Sequence, residues 1–162
     1  MEESVFHKRP KIDADHTAKL HSAEAALHER GLMARRLAEQ CLEREQARSR
    51  RLGSPLTIAV LTPTICSSDE TPAVHASAMT LKELVRTTDL LAWLNDDSIL
   101  VILPDTSVRD ARVAVQRWCT EMWRRSMSVG AMKWTSVIVG DVQNFEDADA
   151  VVGGATRLAT MP

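Results

Sequence analysis

The sequence predicts an α/β fold, with helices flanking a mixed central sheet. Three observations carry this. Amphipathic runs of helical period alternate with short β-branched runs. The runs "LLAWL" and "SILVIL" flank an Asn-Asp-Asp turn and so form a hairpin. The remaining strand-like runs, "LTIAVLT" and "WTSVIVGD", are each separated from that hairpin by a helix, which is the pattern of a layered structure.

Taken in order, residues 1–13 are polar, contain Pro10 and are expected to be flexible. Residues 14–30 form a helix, because Leu20, Ala23 and Leu27 recur at helical spacing between charges. Gly31 is a joint. The run "LMARRLAEQCLEREQARSRR" is a second helix, with Glu and Arg at i,i+4 spacing, and "LGSP" stops it. Residues 56–62 are a buried strand ended by Pro63, and "ICSSDETP" is a loop. Residues 73–85 are helical, and the hairpin follows, its second strand stopped at Pro104. Residues 108–125 form an amphipathic helix with Ala111, Val115, Trp118 and Met122 on its core face. A strand spans residues 134–141. The last helix, in "DADAVVGGATRLAT", is weakened by Gly153 and Gly154. Domain organisation follows: a flexible N-terminus (1–13), a dimerisation or partner-docking helix (14–30), and one domain over residues 31–162.

The bulk numbers narrow the class. A chain of 162 residues with 44% apolar and 26% charged side chains is an ordinary globular composition. The net charge of −2 demands neither nucleic acid nor an anionic membrane as partner. No apolar run approaches the ~20 residues that span a bilayer, and the N-terminus lacks the apolar core of a secretory signal. Three widely spaced cysteines, Cys41, Cys66 and Cys119, suit free thiols in a reducing compartment. A cytoplasmic protein is expected.

The stretch "RTTDLLAWLNDDSILVILPDT" carries the candidate chemistry. Its order, Arg-x-x-Asp, five residues, a turn, then "ILVILPDT", resembles a GGDEF domain, the diguanylate cyclase fold. The opening "GLMARRLAEQ" resembles the family's Gly-Leu-x-Asn-Arg helix start, with Ala34 in place of Asn, and the likeness runs over about residues 31 to 161. The resemblance implies a nucleotidyl-cyclase-like sheet and, in intact members, a two-metal phosphoryl-transfer site. Here the signature loop falls on Asn95, Asp96, Asp97, Ser98 and Ile99. Both glycines, which let a backbone approach nucleotide closely, are replaced. One acid position is Ser98. Thr62 and Thr64 stand where the family places metal-binding aspartates, and Mg²⁺ wants carboxylate or phosphate oxygens. The family's guanine-holding elements have no match in "ICSSDETPAVHASAMTL". The expectation is a degenerate domain with no catalytic residues, no metal and no cofactor.

The resemblance implies a different role for "RTTD". In the family, Arg-x-x-Asp five residues ahead of the signature loop is the inhibitory site that binds cyclic di-GMP. Arg86 and Asp89 keep that spacing, and Arg117 falls where a third site arginine is found. Arg48 is a weaker candidate for a contact across a dimer. A guanidinium forks onto guanine N7/O6 or onto phosphate, and an aspartate accepts from guanine N1 and N2.

Plainer readings stand beside these. Arg86 and Asp89 alone describe a surface ion pair of about 0–1 kcal/mol. Asp96 and Asp97 describe a solvated hairpin tip, the four tryptophans core or interface, and the arginine-rich second helix a solvated face. The five histidines show no metal spacing. The expected function is a catalytically inactive cyclic di-GMP receptor. It would signal through a protein partner, in an exopolysaccharide, motility or transcription system, without nucleic acid, and with a homodimer left open. The alternatives are a ligand-free scaffold or dimerisation module and, last, an active diguanylate cyclase.

Overall fold

The computed structural model describes residues 32–64, 71–127, 132–145 and 148–159. The helix expected over residues 14–30 lies outside them, as does Cys66. The described elements run α1 (Arg35–Leu52), β1 (Leu56–Thr64), α2 (Thr71–Leu84), β2 (Leu90–Trp93), β3 (Ile99–Pro104), α3 (Val108–Ser126), β4 (Lys133–Val139), a 3-10 turn (Val142–Asn144) and α4 (Ala148–Ala159). Among these residues no helix is long and apolar enough to cross a membrane.

The four strands lie in the order β2-β3-β1-β4 and pair antiparallel throughout. Among the described residues the parallel component of the expected mixed sheet is one bridge, Met33 to Ala92. Met33 accepts from Trp93 N–H and donates to Leu91 O, so "LM" lies along β2 and α1 starts only at Arg35. The chain thereby covers part of the open edge of β2.

Alternation along the strands builds two cores. Ala59 and Leu61 of β1 pack with Trp93, Ile99, Val101 and Leu103 under α2 and α3. Ile58 and Val60 pack with Leu100 and Ile102 under α1 and α4. Both sheet faces are covered, which is why all six residues of β3 are buried and its sequence is a continuous apolar run. Trp93, Trp118 and Trp134 belong to the first core, as expected; Trp123 is exposed. His75 stacks on Trp93, with ring centroids 6.2 Å apart and planes 12° from parallel.

Two boundaries differ from the sequence reading for identifiable reasons. Strand β1 does not stop at Pro63. Its pairing with β3 ends at Leu61–Ile99, while pairing with β4 continues to Thr64–Lys133. Pro63 therefore sits where the strand has one neighbour, the position at which a missing N–H is tolerated. Helix α4 runs through Gly153 and Gly154, because Val151, Val152 and Ala155 bury in the second core and offset the weak propensity. The C-cap of α1 is Gly53 at φ 65°, a left-handed conformation that glycine adopts without strain.

Candidate functional site

Helix α2 ends at Leu84, and the four residues before β2 turn the chain back into the sheet. "RTTD" forms that turn: Asp89 N–H donates to Arg86 O at 3.1 Å, and Arg86 N–H donates to Asp89 Oδ2 at 2.9 Å. This is an aspartate side chain closing its own turn. Asp89 is 8% exposed, and its second oxygen, Oδ1, is buried with no hydrogen-bond partner among the described residues. Burial pushes the carboxyl above its usual range, opposed by the Arg86 backbone N–H and by the Arg86 charge. The Arg86 guanidinium is exposed and makes no hydrogen bond or ion pair among the described residues. The surface ion pair offered by the plain reading is therefore not made; the two residues meet through the backbone.

Both residues line one open groove of about 530 Å³, together with Leu32, Met33, Leu37, Lys82, Val85 and Leu90. The floor is apolar and the rim carries Lys82 and Arg86. Arg117 is not in this groove. It lines a second one of about 450 Å³, between the end of α2 and the outer side of α3, with Leu84 and Val113. The two grooves lie on either side of the segment 84–86. Arg48 is engaged elsewhere, with Glu45 Oε2 at 3.1 Å and Asp105 Oδ2 at 2.9 Å. Asp105 is held below the usual carboxylate range by the Ser54 hydroxyl and by Arg48.

The hairpin tip is organised differently. Asn95 Oδ1 accepts from Asp97 N–H at 3.1 Å and from Ser98 N–H at 2.7 Å. Leu94 N–H donates to Ser98 O at 2.9 Å. Ser98, buried, donates to Asp97 Oδ1 at 3.0 Å and stands 3.3 Å from Thr62 Oγ1 at the end of β1. Thr62 and Ser98, two of the three positions singled out for missing acids, thus touch each other through hydroxyls; the third, Thr64, is the last residue of β1. Asp96 is exposed, as a solvated tip requires, and Ile99 is core.

Sequence reading missed most of the lining of the first groove: Leu32, Met33, Leu37 and Lys82. "LKELVRTTD" does place Lys82 four residues before Arg86, so one turn of helix separates them. The Met33 contribution depends on a bridge that leaves no local pattern.

No protein-family model and no curated protein matches the chain. Solved structures do. A diguanylate cyclase protein from Thermotoga maritima superposes with TM-score 0.66 at 17% identity, over 80% of this chain and 96% of that one. The coiled coil and GGDEF domain of DgcB from Caulobacter crescentus, in complex with c-di-GMP, gives 0.66 at 17%, over 89% and 88%. The diguanylate cyclase SiaD from Pseudomonas aeruginosa, in complex with its activator SiaC, gives 0.60 at 20%, over 89% and 65%. At these identities the likeness establishes the fold: the chain has the fold of GGDEF diguanylate cyclase domains.

Proposed function

We propose that this chain is a GGDEF-fold receptor for cyclic di-GMP that lacks cyclase activity and reports ligand occupancy to a protein partner. The observation that carries the reading is the groove at 86–89, where an exposed guanidinium and a buried carboxylate oxygen, neither with a partner among the described residues, stand in one turn. Arg86 is positioned to fork onto a guanine edge or a phosphate. A buried acceptor without a donor is costly, on the order of 1–3 kcal/mol. A guanine supplies the missing donors from N1 and N2. Because Oδ1 is shut from solvent, the carboxylate turns outward as the ligand enters, and the relief of that cost favours the movement. Arg117 closes the ligand from the neighbouring groove. The c-di-GMP complex of DgcB and the activator complex of SiaD, both on this fold, support the ligand class and the existence of a partner.

The absence of cyclase activity rests on Thr62 and Ser98. Two mutually bonded hydroxyls and one aspartate carry too little charge to fit the Mg²⁺ pair that the resemblance implies, so no step is drawn through a metal. Without glycine at 95 and 96 the tip also keeps side chains where nucleotide would approach. A scaffold without ligand is the second reading. It is favoured by the Asp89 Oδ2 bond to Arg86 N–H, which gives the aspartate a structural use of its own.

Isothermal titration with cyclic di-GMP separates the two. Saturable heat that disappears in Arg86→Ala supports the receptor. No heat at high micromolar ligand leaves the scaffold. Incubation with GTP and Mg²⁺ or Mn²⁺ is expected to yield no cyclic di-GMP by chromatography; its formation contradicts the account of Thr62 and Ser98.

A further inference from the structure

Helix α3 has two unlike faces. Ala111, Val115, Trp118 and Met122 are buried in the first core. On the opposite side Val113, Gln116, Thr120, Trp123 and Met127 follow one another at spacings of three, four, three and four, and all are exposed. Val113 is 67%, Trp123 41% and Met127 60% exposed. None of the five is charged. A 3-4 repeat on a solvent face is the seam of a helix that packs against another helix, not the pattern of a solvated surface. At the seam, the groove lined by Leu84, Val113, Gln116, Arg117, Thr120 and Glu121 provides a hole for an incoming side chain.

The charges on and beside the seam identify the partner: Arg109 stands on its line, four residues before Val113, and Arg112 and Arg117 flank it. Arg109, Arg112 and Arg117 are exposed and make no hydrogen bond or ion pair among the described residues. The nearby acids are engaged: Asp110 Oδ2 accepts from the Ser107 hydroxyl at 2.8 Å, and on Glu121 Arg124 forks at 2.8 and 2.9 Å while Arg125 Nε reaches it at 2.7 Å; they are outnumbered by the five arginines of the helix. The flanks are therefore net basic. We propose that the outer face of α3 docks an amphipathic helix of another protein, one with apolar residues at 3-4 spacing and acidic residues on either side of them. A second copy of this chain is the wrong occupant, because its arginines would face these arginines across the seam. Trp and Arg, both present on this face, are residue types enriched among those that dominate interface energetics. The inference does not rest on nucleotide binding, and the two surfaces meet at Arg117 in the second groove.

The test uses two labelled synthetic peptides of about three heptads, with Leu at the seam positions and either Glu or Lys at every flanking position. Each is titrated with the full chain by fluorescence anisotropy. The Glu peptide is expected to bind, more weakly as salt rises, and the Lys peptide not to bind. Val113→Asp, at an exposed position, should weaken the Glu peptide by ~10-fold or more while leaving the circular dichroism unchanged. Arg109→Glu with Arg112→Glu should reverse the preference toward the Lys peptide. Equal binding of both peptides, no binding of the Glu peptide up to millimolar chain, or unchanged binding in Val113→Asp overturns the proposal. So does a wild-type dimer in sedimentation that Val113→Asp dissociates, which would make the occupant a second copy.

Discussion

The turn at 86–89 and the hairpin tip at 95–98 lie a few residues apart on the two ends of β2, and they treat their polar groups in opposite ways. At the tip, the Asn95 carbonyl holds two backbone N–H groups, and the Ser98 hydroxyl links Asp97 to Thr62. At the turn, the Arg86 guanidinium has no partner among the described residues and Asp89 Oδ1 has none either. The tip looks chemical in sequence, with two adjacent acids, yet its polar groups are turned on one another. The turn looks plain, yet it leaves a donor and an acceptor unmet beside an open groove. Polar groups already satisfied within the fold hold structure; unsatisfied ones are where a ligand gains most.

Four substitutions break or sharpen that contrast, from the largest effect to the smallest. Arg86→Ala should lower cyclic di-GMP affinity by ~10- to 100-fold in calorimetry, the loss of a charged hydrogen bond of about 1.5–3 kcal/mol, while leaving thermal stability unchanged. Asn95→Ala should do the reverse. It strands two backbone N–H groups and should cost about 1–2 kcal/mol in denaturant unfolding, with ligand affinity unaltered. If it instead abolishes binding, the tip and not the turn holds the ligand. Arg117→Ala, acting from the second groove, should weaken binding severalfold at most, by about 0.2–1 kcal/mol.

Asp89→Asn tests the buried carboxyl through pH. Its pKa is raised in the folded chain by burial, so the stabilisation tied to its neutral form is complete below the unfolded value and is lost as pH rises through the folded one. The amide does not titrate and can still accept from Arg86 N–H. The variant's unfolding free energy relative to wild type should therefore climb between acid and neutral pH. Glu121, lowered to about 2 by Arg124 and Arg125, acts in the opposite sense, its stabilisation fading only as pH falls toward that value. A difference curve that falls with pH would mean that Asp89 is stabilised as the anion.

The layers were legible because period sets the helix, with the core face of α3 at Ala111, Val115, Trp118 and Met122, and because the short β-branched run of β1 reads as a buried strand. What escaped depends on neighbours distant in sequence. Pro63 reads as a stop unless the end of β3 pairing at Ile99 is known. Met33 reads as helix unless β2 offers it an edge. At the site, spacing placed Arg86 and Asp89 in one turn, but it could not show that the carboxylate faces inward, that Arg117 belongs to the adjoining groove, or that Thr62 meets Ser98. The 3-4 seam of α3 was present in the sequence throughout. It stayed hidden behind the stronger core stripe of the same helix, and exposure separates the two.

The most direct test reads both regions in one experiment. Each has backbone N–H groups held by a side chain: Arg86 by Asp89, and Asp97 and Ser98 by Asn95. In ¹⁵N-resolved spectra of the chain titrated with cyclic di-GMP, the Arg86 and Asp89 amides should shift in a saturable way as the carboxylate turns to the ligand, while Asp97 and Ser98 stay in place. Shifts centred on Asp97 and Ser98, or none at any of the four, would contradict the account.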